Sequence, residues 1–525
     1  CIGCAAMRDN TTGSGNVALG YFAMRSNTTG ELNIAIGRET LYTNTVGVRN
    51  VAIGRRTLYS NTTGSYNVSL GQESMCHNTT GSYNVAVGYE ALRSNTIGQF
   101  NNALGYRALY ANTTANYNSA IGFETMMCNT TGQHNIALGF RALKCNTTAS
   151  SNIAIGYEAL LKNTTGTCNV AVGHCSMTCN LTGSYNTGLG RQVLRLNTIG
   201  CNNVAIGNSA LQVNTTGNFN TAVGSSALGL NTIGQRNTAH GNFASYKNTT
   251  GTDNVAVGIC AMCNSTIGSF NTAVGRKAML LNTTGGCNTA IGNSALCANT
   301  TGTFNTAVGT DSSQKNTTGR YNTTVGSQSL YSNTTGGCNV VIGKCAARTY
   351  TKDSTIAIGF EAMCANDVGL YNTAIGYQAM KNTNSAAGSY NTAHGYQALV
   401  NNTTGEKNTA VGYQSMFANT TGEYNAAIGT DSLRANTTGE QNVALGHNSL
   451  YNNTYGNGQV AAGYKSLFNN TTGNYNVGLG AYNLEFNTIG SCNVGIGYQS
   501  LNKNTTASYN VAIGYQASAC NTTGE

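Results

Sequence analysis

The feature that most constrains this chain is a period. A glycine closing a short apolar phrase falls at Gly20, Gly37, Gly54, Gly71, Gly88 and Gly105, seventeen residues apart each time. The rhythm runs to Gly343, slips by one residue to Gly359, recovers at Gly376, gains two residues by Gly395, and then holds to Gly514. Counting Gly3, there are thirty-one such glycines. One idealised repeat reads NTTGxYNVAIGYxALxx. Its positions are numbered here from 0 at the first Asn, so the anchor glycine is position 10.

A seventeen-residue unit cannot bury its own apolar face and must stack on copies of itself. It is short for a helix pair and suits one coil of a β-solenoid. The expected fold is therefore all-β, a β-roll or β-helix of about thirty-one coils. Residues 1–525 form one continuous repeat array, read as a slice of a longer fibre protein, because the chain opens on CIGCAAM in mid-repeat and closes on NTTGE. At ~4.8 Å per coil the array would measure roughly 150 Å. Glycines at positions 3 and 10, such as Gly71, Gly88, Gly105 and Gly122 at position 10, are expected to make turns through positive φ. The NVAIG phrase reads as a strand with positions 7 and 9 on one face and position 8 on the other. Position 9 is Ile, Val or Leu nearly everywhere and is expected to point to the core, with something packed closely against the small residue at position 8. An alternative fold is an α/β solenoid, since YEALRS (89–94) favours a helical turn.

Asparagine carries the next signal. Position 6 is Asn in nearly every coil, including Asn84, Asn101, Asn118, Asn135 and Asn152, with Thr355 and Gln459 as exceptions. Position 0 is almost as regular. Equal residues stacked along a solenoid can hydrogen-bond as amide ladders, so two buried ladders are expected. The competing reading at position 0 is N-glycosylation, since NTT fits the acceptor pattern at Asn78, Asn129 and Asn163. Position 2 becomes apolar at Val46, Ile97, Ile199, Ile233, Ile267, Val368 and Ile489, which removes the acceptor pattern while the position-0 Asn usually stays. That exchange suggests a β-branched packing position rather than a glycan signal.

Charged residues are only 9% of the chain, and its net charge of +9 is carried by singly scattered Lys and Arg. A nucleic-acid track would need clustered basic residues, so no nucleic acid is expected as a partner. No apolar run approaches the ~18 residues of a membrane span. Eighteen cysteines occupy variable positions almost throughout. Pairs such as Cys175 and Cys179, or Cys260 and Cys263, lack the second pair that a zinc site requires. Disulfides are the more natural use: Cys168 with Cys175, Cys338 with Cys345, and Cys128 stacked on Cys145, which together point to an oxidising space. His240 and His394 replace the apolar residue at position 9 and are expected at the core edge. None of the six His has a carboxylate at a repeating distance or a nucleophile motif beside it. The GTDS phrases at 309–312 and 429–432 offer too little oxygen for calcium. No catalytic residue, metal or cofactor is assigned, and the chain is expected not to be an enzyme.

Three phrases carry a resemblance: NVAVGYEA (84–91), NIAIGYEA (152–159) and NVAIGYQA (510–517). They resemble the head repeats of trimeric autotransporter adhesins, and similar phrases occur in tail-fibre-like repeat proteins of bacteria, phages and large viruses. The shared residues are the Asn, Ala, Ile and Gly at positions 6, 8, 9 and 10 and the Ala at position 13, in nearly every repeat. The LxxNTTG insert makes this coil longer than the family's usual one. The resemblance implies a head of three β-rolls, self-association into a fibre, and adhesion to cell surfaces or glycans. The expected role is an extracellular structural or adhesive filament on a cell or virion surface. The alternatives are a receptor-binding tail fibre or an ice-binding solenoid. Tyr is frequent at positions 5 and 11, as in Tyr83 and Tyr89, where rows of rings either cover seams or stack on sugars. The irregular stretches at 344–359 and 381–390 are the places where a specific site would break the repeat.

Overall fold

The computed structural model describes residues 1–367, 369–383 and 388–524, so Val368 and much of the 381–390 irregularity lie outside the described residues. The chain divides into two compact units, Cys1–Ile267 and Gly268–Glu525. The first carries strands β1 (Val17–Leu19) to β15 (Val255–Val257), and the second β16 (Thr272–Val274) to β30 (Val511–Ile513), each three residues long and each followed by an anchor glycine. Within a unit, successive strands pair in parallel with no register shift: Val17, Ala18 and Leu19 face Ile34, Ala35 and Ile36, and Thr272, Ala273 and Val274 face Thr289, Ala290 and Ile291. Each unit is thus a β-solenoid, one coil per repeat. The first repeat is incomplete, and its Ile2 makes a single bridge to Leu19. No helix occurs among the described residues, which removes the α/β alternative.

The segment read as a helical turn is a pair of corners instead. Glu90 and Leu92, at positions 12 and 14, take φ values of 54° and 51°, and Tyr83 at position 5 takes 60°. Left-handed backbone in non-glycine residues costs roughly 1–2 kcal/mol each. The coil-to-coil ladder offsets it, because each corner amide is used: Glu90 N–H donates to Gln72 O at 3.0 Å, Leu92 N–H to Ala108 O at 2.9 Å and Tyr83 N–H to Ser65 O at 3.1 Å.

The two expected turn glycines differ in cause. Gly71, Gly88, Gly105 and Gly122 have φ of 127°, 141°, 138° and 134°, a region that side chains resist, and a Cβ on Gly88 would strike the Gly105 carbonyl. Position 3 has no such need. Gly81 lacks positive φ, and it is small because the Gly98 carbonyl and Asn78 Oδ1 lie against it.

The direction of the strand is opposite to the expected one. Position 8 is the core residue: Ala86, Ala103 and Ala120 are fully buried. Positions 7 and 9 face outward, as Val17 at 50% and Leu19 at 41% exposure illustrate. The cause is the width of the coil. Its interior already holds Leu or Met at position 14, a small residue at position 13 and two Asn side chains, as at Leu92, Ala91, Asn78 and Asn84, all buried. Position 8 is accordingly small, Ala in most coils, with Thr324 and Val341 the largest residues buried there. Where position 13 is polar, its hydroxyl returns to the backbone, as Thr57 does to Gly71 O at 2.6 Å. Position 2 is likewise not a packing position, since Ile97 is 50% exposed.

Both Asn columns are ladders. Asn84 donates from its Nδ2 to Asn67 Oδ1 at 3.2 Å and to Gly98 O at 2.9 Å, and its backbone N–H donates to the same Asn67 Oδ1 at 3.0 Å. Asn101, Asn118 and Asn135 repeat all three contacts, and Asn152 repeats the backbone bond to Asn135 Oδ1 and the Nδ2 bond to Gly166 O, both at 2.9 Å. At position 0, Asn95 Nδ2 donates to Asn78 Oδ1 at 2.7 Å and to Gly98 O at 3.0 Å. The Gly98 carbonyl therefore joins one ladder to the other. These bonds satisfy buried polar groups that would otherwise be costly.

The position-0 ladder breaks in the shortened coil at 344–359. Tyr350 stands where Asn belongs, is fully buried, and donates its hydroxyl to Asp353 O at 2.9 Å. Below it, Asn333 Oδ1 turns to Gly336 N–H at 3.0 Å. Above it, Asn366 Nδ2 is buried without a partner.

Candidate interaction surfaces

Positions 7 and 9 point outward from the strand, and positions 5 and 11, beyond the bends that flank it, are exposed as well. In the coil of β5 (Val85–Val87) these are Tyr83, Val85, Val87 and Tyr89. Repetition turns them into four columns: aromatic, β-branched, aliphatic, aromatic. His240 and His394 lie exposed in the third of these columns, not at a core edge.

The aromatic columns stack on themselves. Tyr66, Tyr83, Phe100, Tyr117 and His134 form one series with ring centroids 5.0–5.1 Å apart and nearly parallel planes. Tyr89, Tyr106, Phe123, Phe140, Tyr157 and His174 form a second at 4.9–5.5 Å. In the other unit, Phe360, Tyr377, Tyr396 and Tyr413 do the same. Ring faces inside such a series are covered by neighbouring rings, so these rows present edges and hydroxyls outward and are not platforms for sugar rings.

Charge is sparse and lies mostly at positions 4, 5, 11, 12, 15 and 16. Position 12 of one coil meets position 15 of the next, as Glu73 meets Arg93 at 3.1 Å. Lys144 at 2.8 Å and Arg141 at 2.9 Å hold the Glu124 carboxyl below its ordinary pKa. Lys381 and Gln378 do the same for Glu361. No group of three or more His, Cys, Asp or Glu able to hold a metal ion occurs among the described residues. No helix there is long and apolar enough to cross a membrane.

The acceptor asparagines Asn78, Asn129 and Asn163 are fully buried, and each Nδ2 donates two hydrogen bonds. The folded coil leaves no room for a sugar on that nitrogen. All eighteen cysteines are free thiols. Two of the expected pairs are separated by a strand: Val170–Val172 lies between Cys168 and Cys175, and Val340–Ile342 between Cys338 and Cys345. At ~3.3 Å per residue the four steps from Asn169 to Gly173, or from Asn339 to Gly343, already exceed the ~7 Å that a disulfide spans between Cα atoms. Cys128 and Cys145 instead occupy position 16 of successive coils, which is within that span.

Two hollows interrupt the surface of the second unit. One, of about 560 Å³, runs along positions 16 and 1 past Asn452, Asn469, Phe486, Thr454, Thr471 and Thr488. The other, of about 320 Å³, lies beside the shortened coil and is lined by Arg320, Tyr321, Cys338 and Asp353 among others. Nothing in the repeat pattern singled out the first, because its walls are the commonest residues of the chain.

No protein-family model matches the chain. No curated protein matches it either.

Proposed function

We propose that this chain is the repeating body of an extracellular structural and adhesive fibre that associates with copies of itself. The observation that carries this reading is the pair of outward columns at positions 7 and 9. Monomeric proteins rarely expose contiguous apolar patches beyond a few hundred Å², yet here Val85, Ile136 and Leu138 stand 39%, 46% and 44% exposed in columns that continue from coil to coil. A second copy is the natural cover, because a face with a fixed repeat meets its own repeat in register. Amide ladders running from coil to coil supply the stiffness that a filament needs, and positions 7 and 9 carry no Lys, Arg, Asp or Glu that would repel a second copy.

Sedimentation equilibrium tests the reading. The expected mass is a multiple of the 54.5 kDa chain, and Val85→Glu with Ile136→Glu should dissociate the particle while the circular dichroism spectrum stays unchanged. A chain that remains monomeric at all concentrations would refute it.

A further inference from the structure

We infer that the groove along positions 16 and 1 of the second unit is a binding site for a linear, neutral, β-linked polysaccharide. The inference deepens the adhesive part of the fibre reading and rests on it. The groove has no Lys, Arg, Asp or Glu in its lining. A nucleic acid or acidic glycan would need cations there, and a cationic ligand would need carboxylates.

The polar groups that are present suit hydroxyls. Thr454, Thr471 and Thr488 each donate their hydroxyl hydrogen to the threonine carbonyl of the next coil, at 3.1, 3.0 and 3.0 Å. Each Oγ1 therefore meets the groove as an acceptor. Asn452 Nδ2 donates to Asn469 Oδ1 at 3.0 Å, and Asn469 Nδ2 to Glu485 O at 3.1 Å. An amide nitrogen has two hydrogens, so each of these keeps one for a ligand. An acceptor column and a donor column thus run side by side, each repeating at the coil step of ~4.8 Å, close to the length of one pyranose ring. A peptide strand is a poorer match, because β-augmentation needs an unpaired backbone edge and this backbone is bonded from coil to coil, as Asn452 N–H is to Phe468 O.

Phe486 supplies the remaining element. It stands at position 16, where the preceding coils carry Ala435, Asn452 and Asn469, and it is 46% exposed. Among the described residues it takes part in no ring stack, unlike the rings of the aromatic columns at positions 5 and 11. Its face is open to the apolar face of a sugar.

Calorimetric titration of the full chain with cellohexaose tests this. Saturable binding is expected, weakened about tenfold or more by Phe486→Ala and also by Thr471→Val, which keeps shape and removes the acceptor. Tyr89→Ala, on the outward face of the first unit, should leave it unchanged. If Thr471→Val lowers the melting temperature, the surface substitution Phe486→Ala decides. Absence of saturable binding, or equal affinity in Phe486→Ala, overturns the inference. The mass of the particle is measured on the same sample: an assembled particle that does not bind refutes the groove alone, whereas a monomer refutes the fibre.

Discussion

Replacing Asn101 by Leu isolates the worth of one rung. The Asn101 side chain donates to Asn84 Oδ1 at 3.2 Å and Ala115 O at 2.8 Å, and it accepts from Asn118 N at 3.1 Å and Asn118 Nδ2 at 3.3 Å. Leucine fills a similar volume and removes all four bonds. The losses are unequal. Asn84 Oδ1 keeps the backbone N–H of residue 101, and Ala115 O keeps Asn112 Nδ2. The Asn118 amide loses its acceptor outright, and Asn118 Nδ2 keeps only Gly132 O. One orphaned backbone donor and one half-satisfied amide, at ~1–3 kcal/mol for each buried group left unpaired, give about 2–4 kcal/mol. In a solenoid the damage stays near the affected coil, so a local readout is required. Hydrogen exchange at the Asn118 amide should accelerate by roughly 30- to 1000-fold. Asn101→Gln should cost far less, because Gln459 already fills this position elsewhere and its Oε1 accepts Asn476 N–H at 3.1 Å. Unchanged protection at Asn118, or a glutamine as damaging as the leucine, would refute the ladder as a source of stability.

Gly88→Ala should destabilise its coil by about 1–3 kcal/mol from backbone strain alone. Gly81→Ala should cost less, since Ala115, Ala149 and Ala507 already occupy position 3; urea unfolding of the two variants compares them. Oxidation by glutathione disulfide should cross-link Cys128 to Cys145 and leave Cys168 unlinked to Cys175, read by peptide mass spectrometry without reduction. Burial raises the Tyr350 phenol above its ordinary pKa of 10.0. Its contribution to stability is thus fully present below pH 10 and declines as pH rises toward the raised folded value; an alkaline melting series should show that decline, and Tyr350→Phe should flatten it.

The period and the ladders were legible because they depend on identity at equal places. Asn recurring at positions 0 and 6 has few other physical uses, and Thr355 and Gln459, the exceptions, still accept or donate in the ladder. Glycine at position 10 was legible for the same reason. The corners were not, because αL backbone at Glu90 or Leu92 contradicts the propensity of both residues, and only the stacked neighbour makes it worthwhile. Strand direction depends on the width of the core, which the repeat pattern does not carry. Alternation in Val85, Ala86 and Val87 says that two faces differ, but not which is inside. The larger residue is inside when the core is wide. Here the two Asn columns and the position-14 Leu or Met fill a narrow coil, so the smaller residue goes in and the larger ones go out. An outward face of Val, Ile and Leu is then a cost the isolated chain carries in most coils. It becomes a gain only when another surface covers it, which is why the direction of one alanine bears on whether this protein works alone.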